Sequence, residues 1–149
     1  MTITLTIIVL FIAANFGRIY YQNSQVPTLG VTNGKLTPIS KKPNNVSSQT
    51  DVAEKSVPTL PFKDTQEQTL KAIKQAIANY GGGEIKNESE DYVYVVFTTS
   101  LMKYHDDVEF WLDAEHKEVH FRSASRAGYS DMGLNRQRWE KLAELYRAQ

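Results

Sequence analysis

Hydrophobic positions change rhythm twice along the chain. Residues 3–14 are almost wholly apolar, and the run continues less cleanly to Tyr21, interrupted by Asn15 and Arg18. Its apolar residues show no one-sided stripe, which argues against a helix packed into the globular domain. As a helix, residues 3–21 would reach about 28 Å at ~1.5 Å per residue, one hydrocarbon core. Tyr20 and Tyr21 would then sit at an interface, with Arg18 snorkelling. Residues 22–61 carry no sustained period and are rich in Pro, Ser, Thr, Asn and Gly, the composition of tether and loop. Within them, residues 43–49 are less linker-like and are expected to lie on the domain.

Beyond residue 61 the pattern becomes regular. Asp64-Thr65-Gln66-Glu67 reads as a capping box opening a helix. Leu70, Ile73, Ile77 and Tyr80 then recur at helical spacing, and Gly81-Gly82-Gly83 ends the run. The triple glycine is no phosphate loop, because it follows a helix and no Gly-Lys-Ser/Thr comes after it. Period-2 patterns follow over 84–87, 92–101, 108–113 and 119–126, predicting an antiparallel meander of four strands. Residues 134–147 predict a second helix burying Trp139, Leu142, Leu145 and Tyr146, with Asp131 or Gly133 as its cap.

Register follows from the turns. A four-residue turn over 114–117 sets Leu112 opposite Val119 and Phe110 opposite Phe121. One over 102–105 sets Val95 opposite Leu112 and Phe97 opposite Phe110. Both keep one apolar face, which a one-residue slip would spoil. The opposite face then carries the rungs Val96–Trp111–His120 and Thr98–Glu109–Arg122, with Asp107 beside Ser100 and Ala124. The fold class expected is α+β: a two-layer sandwich of about four antiparallel strands, with two helices on the Val93/Phe97/Phe110/Phe121 face. Organisation is expected as an anchor or signal segment over 1–21, a linker over 22–42 and a globular domain over 43–149.

Charge adds a regional picture. Basic and acidic residues balance at 17 each, so no global field favours nucleic acid. Residues 84–115 hold nine acidic and two basic side chains, whereas 117–149 hold seven basic and four acidic. Neighbouring elements of opposite sign imply internal pairing first. Glu109 opposite Arg122 is such a cross-strand pair. Cysteine is absent, which excludes disulfides and cysteine-ligated metal centres. Asn45-Val46-Ser47 matches a glycosylation acceptor, a triplet that arises often by chance.

The densest polar chemistry lies in residues 122–138, with four arginines, three serines, one aspartate and one asparagine. Arg122, Ser123, Ser125, Arg126, Ser130, Asp131, Asn135 and Arg136, with Asp106, Asp107 and Glu109, form the candidate binding set. Arginine forks suit carboxylates and other anions. The same groups serve equally to lock the hairpin to the second helix. Arg136 and Arg138 in a helix's first turn face an unfavourable dipole, so a compensating acid or bound anion is expected beside them.

Residues 104–110 and 122–136 resemble the domain-of-unknown-function 1499 family of bacterial and plastid proteins, and residues 43–49 resemble its N-terminal signature. The resemblance covers roughly residues 34–145. Ile39 and Asn45 stand where that signature has cysteines, so no role tied to a cysteine pair carries over. The family brings no activity with it.

The reading is a membrane-tethered, non-catalytic domain whose Arg/Ser/carboxylate site binds a small anion or an acidic group of a protein partner. It would lie outside the cytoplasm, in a periplasm or lumen, with neither cofactor nor nucleic acid as partner. A cleaved signal peptide is the rival for the N-terminus, although no basic n-region or clean cleavage site accompanies it. A hydrolase-like enzyme is the alternative function, with Ser123 or Ser125 activated by His105 or His120. His120 points to the face opposite both serines in this register, and no catalytic residue is assigned. His105, Asp107, Glu109 and His120 have metal-binding atoms but no recognised spacing, so no metal site is assigned.

Overall fold

The structure, a computed structural model, describes residues 2–149. Helix α1 (Thr2–Ser24) contains a stretch, Thr4–Ser24, long and apolar enough to cross a membrane, a test that signal sequences also pass. Its side chains are exposed from Thr4 to Arg18, and it meets the rest of the chain at its last turn, where Asn23 is buried. Strands β1 (Val31–Thr32) and β2 (Lys35–Leu36) form a small hairpin. Asn33 and Gly34 at its tip both take positive φ, 51° and 72°. That is the turn whose twist suits a two-residue hairpin.

The main sheet is built from β3 (Asn45–Ser47), β4 (Leu60–Pro61), β5 (Gly83–Glu88), β6 (Tyr92–Thr98), β7 (His105–Asp113) and β8 (Glu118–Ser125). Its order is β3-β8-β7-β6-β5, with β4 also on β8. The sheet therefore has six strands where the periodicity predicts four. The two additions come from the stretch without a period. β3 lines the far half of β8, pairing Val46 with Ser123, and β4 the near half, pairing Leu60 with Val119. Strands of three and two residues hold too few positions to display an alternation.

Register on the β7–β8 side is as expected, with Phe110 opposite Phe121 and Leu112 opposite Val119. Between β6 and β7 it differs: Val93 pairs with Phe110, and Val95 with Val108. The connection runs over residues 99–104, closed by Thr99 N–H donating to the Tyr104 carbonyl at 2.9 Å. The pairing thus shifts by four positions. An even shift leaves every side chain on its expected face. The outer rungs become Tyr92–Trp111–His120 and Tyr94–Glu109–Arg122, and Asp107 lies between Val96 and Ala124.

Helices α2 (Gln66–Tyr80) and α3 (Leu134–Arg147) cover the apolar face. Thr65, one residue later than the expected cap, closes the start of α2 by accepting the Gln68 N–H at 3.1 Å. Gly81, at φ 80°, ends it. The core joins Ile73, Ala76 and Ile77 of α2 and Trp139, Leu142 and Tyr146 of α3 to Val93, Val95, Phe97, Val108, Phe110, Leu112, Val119 and Phe121. Phe121 lies between Phe110 and Trp139, with ring centroids 5.1 and 4.9 Å away.

Residues 22–37 are laid over the outer face of the sheet. Gly30 N–H donates to Glu109 Oε1 at 2.9 Å, and the Thr37 carbonyl accepts from Arg122 Nε at 2.8 Å. The β1–β2 tip comes against Trp111, so that a Cβ on Gly34 would meet its ring at 3.7 Å. Part of the stretch that composition marks as linker is thus fastened to the domain.

Candidate functional site

Adjacent strand residues face opposite ways, and this divides the candidate residues into two clusters. Asp106, Ser123 and Ser125 point to the helix side of the sheet. Asp107, Glu109 and Arg122 point to the outer side, where Arg126 folds back to join them.

The helix-side cluster centres on Asn135, fully buried at the start of α3. Its Oδ1 accepts from the Ser123 hydroxyl in a very short bond and from Arg138 Nη1 at 2.9 Å. Its Nδ2 faces the Asn44 carbonyl, Ser125 Oγ and Asp131 Oδ2 at 3.0, 3.0 and 2.7 Å. The Asp131 carboxylate also takes the Gly133 and Asn135 N–H groups, so it supplies the cap while Gly133 occupies the N-cap position. Arg138 Nη2 donates to Asp106 Oδ2 at 2.6 Å, both side chains being buried. That carboxylate is the acid expected to offset a cation in the first turn.

Arg136 belongs to neither cluster. Its Nη2 donates to the Glu54 and Ser56 carbonyls, each at 2.9 Å, and fastens the 3-10 turn Ala53–Lys55. Backbone oxygens take the place of an acid there. Ser130 is exposed, its hydroxyl accepting the Met132 N–H at 3.2 Å.

The outer cluster contains two carboxylates and two guanidinium groups. Arg126 forks onto Asp107, with Nε 2.9 Å from Oδ2 and Nη2 2.7 Å from Oδ1. Tyr94 donates its hydroxyl to the same Oδ1 at 2.5 Å, and Arg126 Nη1 reaches the Asn23 carbonyl at 2.9 Å. Tyr92 donates to Glu109 Oε1 at 2.7 Å. Arg122 Nη1 and Glu109 Oε2 are 3.2 Å apart but outside hydrogen-bond geometry, which leaves both atoms buried without a hydrogen-bond partner. The pair is thus a Coulombic contact, weaker in orientation than the Arg126 fork.

Burial governs the titration of this cluster. It pushes the Glu109 carboxyl above the usual carboxylate range, against the opposing pull of the Tyr92 hydroxyl and Arg122. Burial, then donation to Asp107, raises the Tyr94 phenol to about 12. Tyr92 is raised further, by burial and then by its bond to Glu109. The Asp107 fork raises Arg126. Both tyrosines therefore act as neutral donors.

Between this cluster and the end of α1 with the residues that follow it lies a cavity of about 300 Å³. Arg122, Arg126, Lys42, Ser40 and Gln22 line it, together with Asp107. Lys42 lies outside the set that the sequence marks, because nothing in its local pattern singles it out. Arg138 and Asn44 were also outside it. Arg138 had a signal: it shares the helical phase of Asn135, Trp139 and Leu142, the buried stripe.

Neither Ser123 nor Ser125 meets a histidine; both hydroxyls bond Asn135 instead. His105 Nδ1 lies against Thr98 Oγ1 at 3.0 Å, and His120 Nδ1 against Ser48 Oγ at 3.2 Å. Asp113 Oδ2 lies 4.0 Å from His120 Nε2, beyond hydrogen-bond distance, and holds His116 Nδ1 at 2.7 Å. Among the described residues no group of three or more His, Asp and Glu is arranged to hold a metal ion.

Fold and site together define a two-layer α+β domain, with an apolar helix ahead of it and buried arginine–carboxylate pairs on both faces of its sheet. The chain belongs to the family described as "Protein of unknown function (DUF1499)", whose model matches residues 35–145. Asn45 is buried, and its Nδ2 reaches Ser40 Oγ at 3.0 Å and the Lys42 carbonyl at 3.1 Å. No curated protein and no solved structure matches the chain significantly.

Proposed function

We propose that this protein is a non-catalytic domain tethered to a membrane by α1, and that its outer-face cavity binds a small anion or an acidic group of a partner. The observation that carries the reading is Arg122. Its side chain is buried and lines the cavity, its Nε is engaged by the Thr37 carbonyl, and its Nη1 has no hydrogen-bond partner. A buried guanidinium with an unused donor is costly, and an incoming anion would relieve that cost. Lys42 adds a second cation with freedom to move, since its bond to the Gly128 carbonyl is long at 3.4 Å. Arg126 is offset by Asp107 and Arg122 by Glu109, so the lining's positive excess rests on Lys42. Charge-assisted bonds of about 1.5–3 kcal/mol each suit a modest affinity.

The test is thermal unfolding of the full chain in detergent micelles, titrated with phosphate and with a small dicarboxylate. Saturable stabilisation is expected in the wild type, reduced in Lys42→Ala and absent in Arg122→Gln. Equal stabilisation of all three proteins would overturn the assignment.

A further inference from the structure

The foot of α1 is gripped by two loops. Asn23 Nδ2 donates to the Lys103 carbonyl at 2.8 Å, and Asn23 Oδ1 accepts the His105 N–H at 3.1 Å. The side-chain amide thus imitates a strand neighbour at the end of the β6–β7 loop, residues 99–104. From the second loop, which joins β8 to α3, Arg126 Nη1 holds the Asn23 carbonyl and the Gly128 N–H donates to Gln22 Oε1 at 3.3 Å. A cation at a helix C-terminus also answers the helix dipole.

These same loops carry the domain's most exposed large apolar side chains. Leu101 is 87%, Tyr129 73% and Met132 92% exposed. Single exposed apolar residues are ordinary. Here three cluster on the loops that hold one helix end, and Val26, also exposed, follows that end by two residues. Met132 and Lys103 both take positive φ, 55° in each case. Non-glycine residues adopt that conformation at a cost of about 1 kcal/mol or more, and neither side chain recovers it by burial within the domain.

We infer that Leu101, Tyr129 and Met132 form a rim that seats the domain on the lipid surface entered by α1. The inference rests on the reading of α1 as a membrane helix and deepens it. Continuity selects the bilayer as occupant. Hydrogen bonds tie both loops to Gln22 and Asn23, one helical turn or less beyond Tyr20 and Tyr21, which are themselves exposed at the expected interface. At ~1.5 Å per residue, that places the loops within about 5 Å of the aromatic belt along the helix axis. Leu, Met and Tyr suit that zone, and Lys103 beside Leu101 suits the lipid phosphates.

The chain lacks cysteine, so single labels can be placed without background. Full-length Leu101→Cys, Met132→Cys, Gln75→Cys and Leu10→Cys proteins, each carrying a nitroxide, are reconstituted into phosphatidylcholine/phosphatidylglycerol vesicles. Accessibility to oxygen and to a water-soluble nickel chelate is then read by EPR. Labels at Leu101 and Met132 are expected at the interface, with at least threefold less nickel accessibility than at Gln75 on the exposed side of α2, and Leu10 in the hydrocarbon. A buried Leu10 label with Leu101 and Met132 as water-accessible as Gln75 would overturn the rim and leave the tether standing. A water-accessible Leu10 label would overturn both.

Discussion

Arg138 crosses from α3 to Asp106 on β7 at 2.6 Å, and neither side chain sees solvent. Removing one partner strands a buried charge, which costs about 3–5 kcal/mol. Asp106→Ala or Arg138→Met is therefore expected to lower stability in urea unfolding by that amount. The double variant Asp106→Leu with Arg138→Met should recover most of the loss, because an apolar pair of similar volume carries no uncompensated charge. If single and double variants are equally destabilised, the ion pair is not the cause.

Arg126, the residue after β8, is tied to β7 through the His105 carbonyl and Asp107 and to α1 through the Asn23 carbonyl. Arg126→Ala should cost about 3 kcal/mol by stranding Asp107. It should also free the chain just after the helix. Limited proteolysis is expected to cut residues 24–30 several times faster in this variant than in wild type, under conditions where the domain stays folded. Unchanged cleavage would show that the segment after α1 is held by other contacts.

Gly83 pairs with Phe97 across β5 and β6. A Cβ there would come within 2.7 Å of the Phe97 ring and 3.0 Å of Val95. The ring also packs edge-on against Tyr80 at 5.1 Å. Gly83→Ala is expected to destabilise by about 1–3 kcal/mol through overpacking, whereas the same change at Gly82 meets no neighbour but is strained at φ 71°. A neutral Gly83→Ala would mean that Phe97 has another place to go.

The histidines near the β7–β8 turn should titrate on opposite sides of the ordinary value of about 6.5. His116 is raised by its bond to Asp113, and His120, stacked on Trp111, is lowered by burial. His116 thus adds stability that is full below its unfolded pKa and fades as pH rises through its folded one. His120 works the other way: its contribution is full above its unfolded pKa and is lost as pH falls through its folded one. Imidazole NMR signals followed from pH 5 to 8 should show His120 losing its proton first as pH rises, and Asp113→Asn should bring His116 down. Coincident curves would contradict the structure.

Much of the fold is legible in the chain because helices α2 and α3 and strands β6 to β8 are long enough to display their periods. The β7–β8 register followed from a turn of fixed length, while the β6–β7 pairing missed by four because residues 99–104 form a longer connection. The even shift kept the faces right. Asn33-Gly34 is a hairpin signal that the absence of flanking alternation obscured. β3 and β4 are defined by β8 and not by their own sequence. Within the candidate site, the β7–β8 register places Glu109 opposite Arg122, as observed. The partition of acids between two faces required the observed tertiary pairing, and the helical phase separates inward Arg138 from outward Arg136.

Direct evidence for the outer-face cavity comes from the arginine side chains themselves. In a phosphate titration of the full chain, followed through the guanidinium NMR resonances, Arg122 is expected to shift saturably while Arg138, on the other face of the sheet and bonded to Asp106, stays fixed. Arg122 and Arg138 remaining equally still, or drifting together in proportion to ionic strength, would contradict anion binding at this face.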